Sequence, residues 1–401
     1  MHKNKRLVSV ADLEFGMYVA ELDRPWNGTP FAYQGFQLRT EQQLQALRKY
    51  CRNVVVDPTA STASGVKASK VVPLPTAEPA FAIHGTVGYR AETELERELE
   101  LSSALYPQTF DALERLLAPL EKGGAALDGT EVRELVNELA DSVIRNPDAA
   151  LLLSKTRETR TPAHARALQV SVYMMVFGRF LQREPDDIRL LGLLGLLQDV
   201  GKARLPSALF ETRGPFTAEA TELLKKHVEL SAHIVGVTSG LPAKFANLVL
   251  LHHERQDGTG YPRALRGYQI GLYGAIAAIC DAYDALLAPP PYGEGQTPAE
   301  AVKALANERG TAFHGPLLEQ FLRCMGAFPI GSVVEVSSGE VGIVVGEHVM
   351  QRLKPKVLIR VDSAGKPVLK RKIVDLAAEP DLRVRRTLVQ SELPFDPRRL
   401  F

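Results

Sequence analysis

The stretch His252-His253-Glu254-Arg255-Gln256-Asp257-Gly258-Thr259-Gly260-Tyr261-Pro262 decides how this chain is read. It follows an apolar helical run, Phe245 to Leu251, and ends in Gly-Tyr-Pro, through which no helix continues. Two adjacent histidines at a helix end, before a tight glycine turn, can aim both imidazoles into one pocket, and histidine is the commonest metal-binding side chain. The plain alternative is a helix C-terminus where His favours the dipole and Gly caps the end. The choice depends on what else the chain offers.

Helical patterns dominate outward from this stretch, from Pro147 to about Met325. Asp199 closes an apolar helix in Leu196-Leu197-Gln198-Asp199-Val200-Gly201-Lys202, and His227 lies in Lys225-Lys226-His227-Val228-Glu229. Asp281 and Asp284 stand inside the apolar run Cys280 to Leu286, where a carboxylate is costly unless it is satisfied. Each of these alone is an ordinary polar helix residue. Together they make a set of imidazoles and carboxylates spread over several helices, as a bridged metal centre in a bundle needs if its cations are to activate a water.

The eleven-residue string with this set resembles the signature of the HD-GYP family, bacterial metal-dependent phosphodiesterases that cleave cyclic di-GMP. The resemblance covers about residues 160 to 325. It implies an HD-type helical bundle with metal ligands at Asp199, His227, His252, His253 and Asp281. It further implies that Asp199 bridges cations, that Lys202 contacts the substrate phosphate, and that Gly260-Tyr261-Pro262 is the naming motif and a partner surface.

The departures from the family pattern are specific. The family's His-Asp pair is Gln198-Asp199 here, which replaces an imidazole with an amide, a poor ligand for such metals. The earlier family histidine falls on Arg166, whose fixed positive charge stands where a cation should bind, and His164 lies on a different helical face. Arg166 is therefore read as pairing with Asp199 or Asp281. The basic residues that clamp phosphate are missing from Pro290-Pro291-Tyr292-Gly293, and Ala275 replaces an arginine, while Arg255, Arg263 and Arg266 remain near the Gly-Tyr-Pro turn. The residual ligands are read as holding one iron or manganese ion, without a full dinuclear or trinuclear site.

The other segments fit a mainly α protein with small modules at each end. Residues 1–57 read as an α/β module, with strands at Leu7–Val10 and Asn53–Asp57 and an N-capped helix from Thr40 that carries Leu44 and Leu47. Trp26 and Phe31 are read as core residues of that module. Residues 58–90, with Pro73, Pro75 and Pro79, read as a linker, and 91–146 as connecting helices. The charge run Glu92–Glu100 reads as a solvated helix face whose Leu95 and Leu99 could pair a second chain into a homodimer. The HD-GYP-like bundle takes 147–328, an antiparallel β module 329–388, and a loose tail 389–401.

The chain has 401 residues, 45% hydrophobic and 24% charged, with a formal net charge of +1. That balance argues against a general nucleic-acid binder or a membrane-surface protein. No run approaches the roughly 18 apolar residues that span a bilayer, and the three cysteines fit no zinc or disulfide pattern, so a cytoplasmic protein is expected. Two functions remain open. One is an active phosphodiesterase that opens cyclic di-GMP. The other is a degenerate, catalytically silent or strongly impaired member that binds cyclic di-GMP, a diguanylate cyclase or another signalling protein.

Overall fold

The computed structural model describes residues 6–23, 36–57, 81–124, 126–155, 162–210, 216–288, 295–348, 351–389 and 392–395. Trp26, Phe31, the prolines of the linker, Pro290 to Gly293 and the last residues of the tail lie outside them. The chain divides into two units, Met1–Ala77 and Glu78–Phe401.

In the first unit an antiparallel sheet has the order β1 (Arg6–Ser9), β4 (Asn53–Asp57), β2 (Tyr18–Leu22), β3 (Phe36–Gln37). The central strand β4 buries Val54 and Val56 against Leu44 and Leu47 of α1 (Glu41–Tyr50). Thr40 and Gln43 close a capping box that satisfies the first amides of α1 and fixes where the helix starts.

The second unit opens with a strap. Residues 81–90, expected within the linker, are fastened to the bundle instead. The Gly85 amide donates to the Leu181 carbonyl at 2.8 Å, the Val87 amide to Gln182 at 3.1 Å, and the Tyr89 hydroxyl to Arg183 at 2.9 Å. The acidic run that follows is also not a wholly solvated face. Glu98 of α2 (Leu95–Leu101) is buried, and its carboxylate accepts from Arg145, Ser102 and Ser142 at 2.7–2.9 Å. Leu99 is buried and Leu95 packs against the same core, so the two leucines proposed for a homodimer are used within the chain. The cause is α4 (Gly129–Arg145), whose last residue brings a guanidinium to the one glutamate that faces inward.

Helices α3 (Leu105–Glu121), α4 and α5 (Pro147–Lys155) pack against a central antiparallel pair, α6 (Pro162–Phe180) and α7 (Pro185–Leu197). Gly195 of α7 allows that pair to approach closely, since a Cβ there would lie 2.5 Å from the Ser171 Cα. Then come α8 (Ala218–Lys225), α9 (His227–Val237), α10 (Phe245–Val249), α11 (Gly271–Leu287), α12 (Pro298–Asn307) and α13 (Gly315–Met325). The segment Gly267–Leu287 is apolar enough by composition to cross a bilayer, but 67% of it is buried in the bundle, as for a core helix.

The C-terminal strands β5 (Val333–Val336), β6 (Val341–Gly346), β7 (Lys356–Val361), β8 (Pro367–Asp375) and β9 (Val384–Thr387) form an antiparallel sheet ordered β8-β7-β6-β5-β9. Val334, Val344 and Leu358 continue the same apolar core as Phe321 and Met325 of α13, so sheet and bundle share one interior. Part of the expected loose tail is also packed: Leu393 and Phe395 rest on this core.

Candidate metal centre

Four chain segments deliver the site. Helix α7 ends at Leu197, and Gln198 and Asp199 follow it inward before a short 3-10 turn, Val200–Arg204. His227 is the first residue of α9, His252 and His253 sit in the turn after α10, and Asp281 and Asp284 are on α11.

The hydrogen bonds set the histidine tautomers. His227 Nδ1 lies 2.6 Å from the Leu224 carbonyl and His252 Nδ1 lies 2.8 Å from that of Val249. A carbonyl only accepts, so both Nδ1 atoms carry the proton and both Nε2 atoms present lone pairs. Those two Nε2 atoms are 3.3 Å apart, and Asp199 Oδ1 lies 3.1 Å from one and 3.6 Å from the other. Asp199 Oδ1 is buried and finds no hydrogen-bond donor among the described residues. Three buried acceptors therefore converge on one point, and what such a cluster lacks is a cation. His253 joins them, with one ligand atom from each of Asp199, His227, His252 and His253 lying within 4.8 Å of the others.

The protonation states suit a ligand set. Burial first, and then the neighbouring His252, pushes His253 down to about 2, so it is neutral. Burial works against ionised Asp199, but the Lys202 ammonium, 2.6 Å from its Oδ2, holds the carboxyl well below its usual range. These donors fit one divalent transition metal, which bound there would supply a Lewis acid.

Asp281, implied as a fifth ligand, stands outside that group. Arg166 of α6 donates from Nη2 to its Oδ1 at 2.9 Å and to its backbone carbonyl at 3.2 Å. Gln198 Nε2 donates to the same Oδ1 at 3.3 Å, and Gln198 Oε1 is buried without a donor among the described residues. The guanidinium also pairs through Nη1 with Asp284 at 3.1 Å, and its Nε lies 3.8 Å from Asp199 Oδ2. Three carboxylates thus surround one fixed positive charge. Burial opposes ionised Asp281, and Arg166 keeps its carboxyl below the usual range, while burial, partly offset by Arg166, leaves Asp284 raised to about 6. His164 is buried and does not belong to the four-residue cluster.

The Gly-Tyr-Pro turn forms the wall of the site. The Tyr261 ring stacks on His253 with centroids 4.7 Å apart and planes 27° apart, and the Tyr261–Pro262 peptide is cis. At Gly260 a Cβ would meet the Arg255 amide nitrogen at 2.3 Å and Glu254 Cα at 2.5 Å, both backbone, so only glycine lets the turn fold this closely. Arg255 is half-buried with its guanidinium 5.3 Å from the centre of the Phe313 ring, whereas Arg263 and Arg266 are exposed. Lys202 is spent on Asp199, and Ala275 is buried in the core.

Sequence reading passed over Glu254. It is fully buried, and its carboxylate accepts the Arg263 and Leu265 amides at 2.8 Å each, which ties down the loop after the histidines. The signal was an acidic residue directly following His-His and facing away from solvent.

The chain is similar to known proteins along most of its length. Residues 147–317 match the HD domain, 5–126 a domain of unknown function, and 333–395 a KOW domain associated with HD domains. A cyclic di-GMP phosphodiesterase of Pseudomonas aeruginosa is 30% identical over 375 residues, 92% of this chain and 88% of that protein. A cyclic di-GMP phosphodiesterase of Vibrio cholerae is 28% identical over 218 residues, 50% of this chain and 44% of that protein. A solved HDGYP protein of Bdellovibrio bacteriovorus aligns over 79% of this chain and 98% of its own, at 17% identity and a TM-score of 0.44. With a relative this similar along nearly its whole length, and an HD domain flanked by the two companion domains, the chain belongs to the HD-GYP family.

Proposed function

We propose that this protein is a cytoplasmic cyclic di-GMP signalling protein whose centre holds one cation, iron or manganese, and whose hydrolysis is absent or strongly impaired. It then acts by binding: the cyclic dinucleotide at the centre, or a diguanylate cyclase or other signalling protein at the surface of Gly260, Tyr261, Pro262, Arg255 and Arg266. The observation that carries this reading is Arg166. Its guanidinium pairs with Asp281, a carboxylate that a second cation would need, and with its neighbour Asp284. In a two-metal centre both cations clamp the attacking and leaving oxygens, so removing one withdraws several kcal/mol of transition-state stabilisation. The names of the relatives support cyclic di-GMP as the ligand.

The second reading, an active phosphodiesterase, is favoured by the complete cluster of Asp199, His227, His252 and His253 with Lys202 beside it. Turnover and equilibrium binding of cyclic di-GMP, measured anaerobically with Fe2+ or Mn2+ for the wild type and Asp199→Ala, separate the two. Binding without turnover is expected. Hydrolysis by the wild type that disappears in Asp199→Ala would establish the enzyme instead.

A further inference from the structure

A cavity of about 270 Å3 lies between the bundle and the C-terminal sheet, walled by α5, α6, the end of α13 and the residues after β6. Leu151, Val176 and Phe180 give it apolar sides. Among the described residues its charged lining is unbalanced: Lys155, Arg179, Arg323 and Arg352 stand with two carboxylates, Asp148 and Glu347. Among the described residues no ion pair joins these cations to those carboxylates.

The cations spend few of their donors. Lys155 donates to the Ile330 carbonyl at 2.8 Å, with its Nζ 5.7 Å from the centre of the Tyr173 ring. Arg179 donates to the carbonyls of Ile144 and Arg90, and Arg352 to that of Arg323. An ammonium has three donors and a guanidinium five, so each retains N–H groups beyond these carbonyls. Glu347 Oε1 is buried without a hydrogen-bond partner among the described residues.

We propose that this cavity is a binding site for a small oxyanion, a carboxylate or inorganic phosphate, held by Lys155, Arg179 and Arg352. Half-buried cations that make no ion pair with the lining carboxylates are costly, and an oxyanion supplies both charge and acceptors. Glu347 does not oppose it. Burial, with the nearby Asp148, pushes its carboxyl up to about 8, so at neutral pH it is largely uncharged. The site is separate from the metal centre, since none of its lining residues belongs to the metal cluster.

The test is calorimetric titration of the full chain, in an oxyanion-free buffer, with inorganic phosphate and separately with succinate. Saturable binding of one or both is expected, and the one that binds identifies the source. Arg352→Gln, a half-buried rim residue, and Lys155→Met should each weaken it at least tenfold, while Asp199→Ala leaves it unchanged. No saturable binding of either anion overturns the proposal. So does wild-type affinity in an Arg352→Gln protein with an unaltered melting curve, or a loss of binding in Asp199→Ala, which would put the anion at the metal centre.

Discussion

Replacing Arg166 by methionine keeps an unbranched apolar stem and removes the one charge that three carboxylates share. The Arg166 side chain is 24% exposed and those of Asp281 and Asp284 are 6% and 11% exposed, so solvent screens little of the loss. Breaking a buried ion pair from one side costs about 3–5 kcal/mol. At about 2 °C per kcal/mol for a unit of this size, the metal-free variant should melt about 6–10 °C below the wild type at pH 7.

The pH dependence has a definite sign. Burial ahead of the Asp281 charge raises Asp284 from its ordinary 3.8 to about 6. The stability that goes with its protonated form is complete below 3.8 and is lost as pH rises through about 6. Removing Arg166 moves that loss upward, so the deficit is widest at neutral pH and narrows toward pH 4.

The variant should also respond more to metal. If the emptied carboxylates take a second Mn2+, a concentration near a hundred times its dissociation constant adds about 2.7 kcal/mol beyond the wild-type gain. Differential scanning calorimetry with and without Mn2+ measures both effects. Arg166→Lys, which keeps the charge but loses the planar fork, should fall between. An Arg166→Met protein that melts within 2 °C of the wild type (about 1 kcal/mol on the same scale) and gains no more from Mn2+ would refute the reasoning.

Two further perturbations follow from the geometry. Glu98→Ala strands the Arg145 guanidinium and should cost about 3 kcal/mol in urea unfolding. Burial opposes the Glu98 carboxylate, but its donors hold it below its ordinary 4.5, so its contribution should be present above that pH and vanish in stronger acid. Gly260→Ala drives a Cβ into backbone at 2.3 Å, which must open the turn behind His253; Mn2+ affinity should fall about tenfold, or about 1.4 kcal/mol, by isothermal titration.

The architecture was legible because it rests on local signals. Thr40 caps a helix three residues from Gln43, β-branched runs mark the strands, and the Gly-Tyr-Pro turn follows directly on the histidines it packs against. What escaped depends on residues far apart in the chain. Arg166 was read as a partner of Asp199 or Asp281, but that it holds both at once, Asp281 from 115 positions away and Asp284 as a third, was not foreseen. Glu98 looked like any member of its acidic run until Arg145 arrived from another helix. Charge patterning gives the face of a helix, but only tertiary packing says what lies against that face.

The strap of residues 81–90 has a mechanical meaning. It grips the turn Leu181–Arg183, where α6 ends and α7 is about to begin. Those two helices carry Arg166 and lead into Gln198-Asp199, so the guanidinium and the Asp199 carboxylate are placed by the two arms of one clamped helical hairpin. Because the strap bonds to the turn that joins the two helices, loosening residues 81–90 should be read out as a change in the 3.8 Å spacing between Arg166 and Asp199.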